Sequence, residues 1–238
     1  MDDEIEFKRL EQVAEDSWYQ AGVAPRTIEY SGRIFARHMR PGRILELGPA
    51  EGEMTRHLAP LASELTLVDG APSFCRLLQE RFPAARVHCA LFEHFEPAGV
   101  FDSIVLGHVL EHVVDPVLIL RRVAQWLGPG GSVYAAVPNS RSLHRQAAVI
   151  MGLLPTEDSL NPTDLHHGHR RVYSPETFRS DFLKAGLRID VFGGYWLKPV
   201  SNRQLEQSWE PPMLEAFMQL GERYPDIAAE NYIIASRP

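Results

Sequence analysis

Ile44-Leu45-Glu46-Leu47-Gly48-Pro49-Ala50-Glu51-Gly52 decides how this 238-residue chain is read. A short apolar run ends in an acid and a glycine, a second glycine follows four residues later, and residues 53–61 continue as a helix-like segment. That is a strand, a tight turn and a helix. A turn without side chains lets a ligand approach the backbone closely, and the helix start offers unpaired N–H groups and a positive dipole end. An α/β protein binds a nucleotide-like cofactor in this way, at the carboxyl end of its first strand. A second strand ends at Val68-Asp69, twenty-one positions beyond Gly48, where an acid can accept hydrogen bonds from ribose hydroxyls. Turn geometry alone would also account for Gly48 and Gly52, and a helix cap for Asp69. The ordered succession of strand, turn, helix, strand and acid favours binding.

Working outward, strands are expected at 43–47, 64–68, 85–89, 101–106 and 132–137, with helices at 52–62, 72–82 and 115–127 between them. Such alternation predicts an α/β fold with a parallel sheet and crossover helices. Leu65-Thr66-Leu67-Val68 and Ser103-Ile104-Val105-Leu106 suit strands covered on both faces. Upstream, helices are expected over 3–20 and from Arg26 to Met39, where Pro41-Gly42 stops the second. Downstream, Ser174 and Pro175 read as N-cap and first turn of a helix ending near Ala185-Gly186. A strand over 187–192, a helix from Pro212 to Arg223 and a last strand at Tyr232-Ile233-Ile234-Ala235 follow. The whole chain, 1–238, reads as one domain with an N-terminal helical segment over 1–40 and insertions at 139–173 and 198–229.

A hydrophobic content of 45%, a charged content of 23% and a net charge of -7 describe a soluble globular protein and argue against a nucleic-acid partner, which needs concentrated Lys and Arg. Cys75 and Cys89 lack metal-ligand spacing, and reduced thiols in a cytoplasmic protein are expected. The acidic start is not a secretory signal, and no apolar run is long enough to span a bilayer, so no membrane partner is expected.

The choice of cofactor follows from the loop. Gly48-Pro49-Ala50-Glu51-Gly52 lacks the closely spaced glycines that admit a dinucleotide pyrophosphate. Glu46 and Glu51 put negative charge beside it, unfavourable for a diphosphate and tolerable for an ammonium and a sulfonium. The loop therefore points to S-adenosylmethionine rather than NAD. With Leu67-Val68-Asp69, the run Phe101 to Val113 with its Leu110-Glu111-His112-Val113 and Asp115-Pro116, and Leu127-Gly128-Pro129-Gly130-Gly131, the chain resembles class I S-adenosylmethionine-dependent methyltransferases of the small-molecule group that includes ubiquinone-type enzymes. It is similar in overall pattern to phosphonate O-methyltransferases as well. The resemblance implies a Rossmann-like, doubly wound, seven-stranded sheet, mostly parallel with an antiparallel last strand and helices on both faces. It implies S-adenosylmethionine as cofactor and S-adenosylhomocysteine as product. It implies Gly48, Pro49 and Ala50 lining the methionine part, with Ala50 replacing the family's middle glycine, and Glu46 and Gly52 as further cofactor-binding residues. Asp69 would hold the ribose, flanked by Gly70 and Ala71; Leu91 and Phe92 would cover the adenine, with Glu93 near its amino group. Gly107 and His108 would close the site under the sulfonium. His108 is a candidate base as well as a packing residue, while His112 reads as structural.

Asp164-Leu165-His166-His167-Gly168-His169-Arg170-Arg171-Val172-Tyr173 is the second informative stretch. A metal site, a solvated basic loop and acceptor recognition compete for it. No nearby Cys or matching His pair completes a zinc set, so no metal is expected. By resemblance the segment lies over the acceptor pocket, and His166, His167, Arg170 and Arg171 would face an acidic acceptor, since arginine forks match carboxylate and phosphate oxygens. Lys198 is a further anion contact. Trp18, Tyr19 and Tyr30 lie in the helical segment that resembling enzymes use as a lid, and the Tyr30 hydroxyl is a candidate for acceptor contact or catalysis. The expected reaction is methyl transfer to an oxygen of a small phosphonate or carboxylate in biosynthesis, needing alignment rather than a strong base. A phenol or amine acceptor would instead require one, from His108, His166 or His167. Amine, sugar or quinone-like acceptors methylated on N or C, and a non-catalytic cofactor-binding protein, are the alternatives. The N-terminal helix could cover a neighbouring subunit's pocket in a homodimer.

Overall fold

Alternate residues of the central strands enter two different apolar layers, as period-two side chains must. Ile44, Leu67 and Val105 face one layer; Leu45, Leu47, Val68, Ile104 and Leu106 face the other. The computed structural model describes residues 3–15 and 22–238. In chain order the elements are α1 (Asp3–Glu15), α2 (Ala24–His38), β1 (Gly42–Leu47), α3 (Thr55–Leu58), β2 (Ala62–Asp69), α4 (Pro72–Arg81), β3 (Arg86–Cys89), β4 (Phe101–Gly107) and α5 (Pro116–Trp126). They continue with β5 (Leu127–Pro138), α6 (Leu143–Ile150), α7 (Pro162–His166), α8 (Pro175–Lys184), β6 (Arg188–Tyr195), α9 (Asn202–Ser208), α10 (Pro211–Arg223) and β7 (Glu230–Ser236). The seven strands form one sheet in the order β3-β2-β1-β4-β5-β7-β6. All pairings from β3 to β5 are parallel, and β7 runs antiparallel to both β5 and β6. This is the expected fold class.

One sheet face packs against α5 and α8 through Ile119, Leu120, Val123, Phe178 and Phe182; the other carries Ile34 and Phe35 of α2 with Leu214 and Met218 of α10. Burying each such side chain contributes about 1.5–3 kcal/mol. Ser174 caps α8 as expected: its hydroxyl accepts the Thr177 N–H at 3.2 Å, and Thr177 Oγ1 accepts the Ser174 N–H at 2.9 Å. Asp115 caps α5 by accepting the Leu118 N–H at 2.9 Å.

Several expectations need correction. The helix expected over 52–62 is a single turn, α3, followed by a 3₁₀ turn at Ala59–Leu61. Gly52 is left-handed with φ +83°, and Pro60 has no N–H to continue an α-helix. The helix expected over 3–20 is described only to Glu15, so Trp18 and Tyr19 fall outside the described residues. The N-terminal 1–40 segment is not one unit: α1 lies along the carboxyl ends of the strands, whereas α2 is a core helix on the sheet face. The helix expected from Pro212 to Arg223 is α10, preceded by α9 in the second insertion, while the first insertion carries α6 and α7.

The β6–α10 contact is unusually close. Trp196 and Leu197 donate backbone N–H groups to the carbonyls of Met218 and Phe217 at 3.0 and 2.8 Å, which brings the backbone of Tyr195 and Trp196 onto Gly221. A Cβ on Gly221 would overlap that backbone, which no rotamer change relieves. Gly221→Ala should therefore destabilise the protein by about 1–3 kcal/mol, measured by urea unfolding; a change within experimental error would show that α10 slides to accommodate the methyl.

Candidate functional site

The loop after β1 is set by backbone conformation. Gly48, Ala50 and Gly52 all have positive φ (+66°, +49° and +83°). A Cβ on Gly48 would come within 2.8 Å of Val109 Cγ2, so glycine is needed for space as well as for conformation. Ala50 adopts the left-handed region at a cost of about 1–2 kcal/mol, repaid by a hydrogen bond: its N–H donates to Asp69 Oδ2 at 3.1 Å. Asp69 Oδ1 accepts the Ala71 N–H at 2.9 Å, and the Gly48 N–H reaches the Val68 carbonyl at 2.9 Å. The first and second strand ends are thereby tied together by one buried acid. Burial pushes the Asp69 pKa up to about 6, against the pull of these N–H groups. Burial likewise raises Glu46 to about 8; the Thr55 hydroxyl donates to its Oε2 at 2.6 Å, and Asp69 adds repulsion.

Beside these strand ends lies a cavity of about 390 Å³. Of the residues singled out from sequence, Gly48, Ala50, Asp69, Gly70, Ala71, Leu91, Phe92, Glu93 and His108 line it. Glu46, Pro49, Gly52 and Gly107 are outside its lining and shape the strand ends behind it. Helix α1 forms the opposite wall through Glu6, Arg9, Leu10 and Val13. Leu10 sits where a Cβ on Gly70 would be.

His108 follows β4 in the left-handed region, φ +59°, held by its N–H bond to the Ala136 carbonyl at 2.9 Å. Its Nε2 shares a hydrogen bond with the Tyr195 hydroxyl at 3.1 Å. Its Nδ1 faces Glu111 at 3.5 Å and Glu230 at 3.8 Å. Burial works against the imidazolium, but Glu111 and Glu230 outweigh it and raise the His108 pKa above 6.5. Glu111 is fully buried, and neither carboxylate oxygen has a hydrogen-bond partner. Glu111 and Glu230 entered the site unforeseen. Glu111 sat within the quoted Leu110–Val113 pattern, and Glu230 carried no sequence signal because its place depends on β7 pairing with both Pro138 and Tyr195.

The basic segment is placed differently from expectation. Arg171 donates to the backbone carbonyls of Leu110 and Val114 at 2.8 and 2.9 Å, bracing the loop after β4. Arg170 donates to the His112 carbonyl at 2.8 Å and pairs with Glu6 of α1 at 2.9 Å. His166 is exposed and His167 buried, with burial lowering the latter's pKa to about 4. None of these four lines the cavity. His112, read as structural, does line it, with its ring centroid 4.7 Å from that of His169. Ligand atoms of Glu111, His112 and His169 lie within 4.8 Å of one another, so the described residues hold one trio with metal-ligand spacing where none was expected. Tyr30 lies away from the cavity: its hydroxyl donates to Glu222 and its ring stacks on Tyr195. Lys198 is buried, 5.0 Å from the Trp196 ring. Among the described residues no helix is long and apolar enough to cross a membrane.

A family model described as a methyltransferase domain matches residues 19–190. A ubiquinone biosynthesis O-methyltransferase of Xanthomonas axonopodis pv. citri (strain 306) is 27% identical over 169 residues, 68% of this chain and 69% of that protein. One of the same name from Xanthomonas campestris pv. campestris (strain B100) is 27% identical over 179 residues, 71% of this chain and 73% of that protein. Among solved structures, the N-methyltransferase NodS of Bradyrhizobium japonicum WM9 in complex with S-adenosyl-L-homocysteine superimposes with a TM-score of 0.63 at 16% identity, covering 100% of both chains. An S-adenosylmethionine-dependent methyltransferase of Mesorhizobium loti gives 0.62 at 17% identity, over 87% of this chain and 98% of that one. At such identities these structures speak to the fold.

The Arg170–Glu6 pair links the first insertion to the cavity wall. Burial raises the Glu6 pKa, but Arg9 and Arg170 outweigh it and hold it below the ordinary value. A depressed carboxylate contributes stability above its unfolded pKa and loses it as pH falls through the folded one, so this latch holds at neutral pH and releases in acid. Arg170→Gln should speed amide exchange across α1 by roughly tenfold at pH 7, with β1 and β4 unchanged, as read by hydrogen–deuterium exchange. Equal protection in both proteins would show that apolar contacts alone hold α1.

Proposed function

Because this chain belongs to the methyltransferase-domain family, we propose that it methylates a hydroxyl oxygen of a small molecule, with His108 as the base. It is an S-adenosylmethionine-dependent methyltransferase, and the site suits that cofactor. The cavity is large enough, Gly48 leaves no room for a side chain, and buried acids, not bases, stand at the strand ends. Asp69 would hold the ribose with the lone pairs its two N–H partners leave, and Leu91 and Phe92 would flank the adenine. When bound, S-adenosylmethionine supplies a methyl group made electrophilic by its sulfonium and leaves as S-adenosylhomocysteine.

The observation that carries the acceptor reading is the setting of His108. Its ring lines the cavity, Tyr195 fixes its Nε2 side, and Nδ1 faces the gap between Glu111 and Glu230 without a hydrogen bond. A hydroxyl entering that gap meets a nitrogen whose protonated form two carboxylates stabilise. With S-adenosylmethionine bound, His108 would accept the hydroxyl proton as the oxygen takes the methyl group, and the S–CH₃ electron pair would stay with the departing sulfur. The 164–173 segment no longer supports direct methylation of an acid, because its arginines are bonded to Glu6 and to backbone carbonyls. The names of the Xanthomonas relatives agree with an oxygen acceptor.

Titration calorimetry with S-adenosylmethionine and an acceptor screen for S-adenosylhomocysteine release test this reading. Absence of cofactor binding at millimolar concentration would sink it, and turnover confined to amines would sink the hydroxyl part. His108→Gln should lower kcat by roughly 10²–10⁴-fold while leaving the cofactor Kd nearly unchanged; an equal loss in both would make His108 a cofactor residue. Activity needs neutral His108, so kcat should rise with pH through a pKa above 6.5. Glu111→Gln removes the leading cause that raises it, and should move this limb to lower pH.

A further inference from the structure

We infer that Lys198, with the indole N–H of Trp196 and the imidazole of His144, forms an anion subsite for a carboxylate or phosphoryl group carried by the acceptor. This rests on the methyltransferase reading and makes the acceptor a hydroxy acid: the anion is the handle, and the hydroxyl at His108 is the atom methylated.

Lys198 is buried, yet among the described residues no carboxylate lies within ion-pair distance of its Nζ and it donates no hydrogen bond to the protein. Its Nζ lies 5.0 Å from the centre of the Trp196 ring. A buried ammonium without a counter-ion is expensive, and proteins seldom retain one without use. Burial lowers its pKa to about 8, which leaves it mostly charged at neutral pH. The second observation is independent. Trp196 Nε1 and His144 Nδ1 are both buried without a hydrogen-bond partner. Trp196 also has φ +63°, a strained conformation for a bulky residue, kept by its N–H bond to Met218 and by its carbonyl accepting the Ala229 N–H at 2.7 Å.

Charged and titratable neighbours decide the class of ligand. Arg145 is already engaged, by Asp164 at 3.1 Å and by the carbonyls of Glu157 and Ser159. Lys198 and Arg145 oppose protonation of His144, and burial opposes it more, so His144 is neutral. Glu230, Asp164 and Glu206 attract Lys198 from beyond ion-pair distance. Burial raises Glu230 to about 7, so near neutrality part of it is uncharged and blunts its repulsion of a bound anion. The ammonium repels a cation, and a neutral ligand leaves it unpaired. An anion satisfies both the ammonium and the indole N–H.

The place is right for an acceptor handle. Lys198 follows β6, His144 stands on the helix after β5, and His108 follows β4, all at the carboxyl ends of their strands. Tyr195, next to Trp196, bonds His108, and Glu230 acts on both His108 and Lys198.

The test titrates 3-hydroxybenzoate, 3-hydroxyphenylphosphonate and the neutral 3-hydroxybenzamide into the protein saturated with S-adenosylhomocysteine, by calorimetry, for the native chain, Lys198→Met and Trp196→Phe. At least one acid should bind the native protein roughly 10- to 100-fold more tightly than the amide, and which acid does so distinguishes carboxylate from phosphoryl. Lys198→Met should erase the difference, and Trp196→Phe should reduce it several-fold with the ring retained. Thermal unfolding checks that both variants fold, and the Trp196→Phe result stands by itself if Lys198→Met does not. An amide that binds as well as the acids, an acid preference that survives Lys198→Met, or no acid binding at about 20 mM overturns the subsite. Failure of the underlying reading is separate: it shows as absent S-adenosylmethionine binding to the native protein, whereas a native protein that binds cofactor without acid preference loses only the subsite.

Discussion

One buried carboxylate organises this site. Asp69 accepts the N–H of Ala50 with one oxygen and the N–H of Ala71 with the other, so the turn after β1 and the turn after β2 are fastened to the same group. The positive φ at Ala50, the bend of the loop and the entry of α4 all depend on that bond pair. The parallel pairing of β1 with β2 places Asp69 level with the loop, since Leu47 registers with Val68 and the next residues diverge around the cavity. Without the sheet register the acid would be a turn residue; with it, the acid becomes the wall of a pocket.

The same strand ends collect an unusual number of buried acids: Glu46, Asp69, Glu111 and Glu230. Burial raises Glu46, Asp69 and Glu230, so desolvation has won there over local hydrogen bonding. Glu111 goes the other way, because His108, foremost, with His112 and His169 repays its desolvation. This division matters for chemistry. Asp69 lines the cavity with a raised pKa, Glu46 and Glu230 stand outside its lining, and Glu111, lowered instead, faces the imidazole. An imidazole of raised pKa beside a cavity is the kind of arrangement from which proton transfer draws its rate.

The basic segment 164–173 shows how composition misleads when partners are unknown. Three histidines and two arginines looked like an acceptor-facing cluster. In the fold, Arg171 caps the carbonyls of the loop after β4, and Arg170 bridges that loop to α1. Both arginines are engaged by these partners, whereas Lys198, 27 residues beyond Arg171 on another strand end, has no carboxylate within ion-pair distance among the described residues. Nothing in the local sequence of either stretch separates a charge that is paired from one that is not.

The strand–turn–helix pattern at 44–52, the acid at 69 and the alternation of elements were legible by themselves, because they depend on local periodicity and on backbone conformations that only a few residue types tolerate. These determined the α/β sheet, the turns that line the cavity and the place of His108 after β4. Tyr30 could not be placed that way, because its hydroxyl meets Glu222, which is 192 positions away. Nor could Glu230, which reaches His108 only because β7 inserts antiparallel between β5 and β6. Which charges are paired, which donors stay unsatisfied and which helix walls the cavity are properties of distance and burial. Those arise only when segments far apart in the chain are brought together, and the tertiary structure alone decided them.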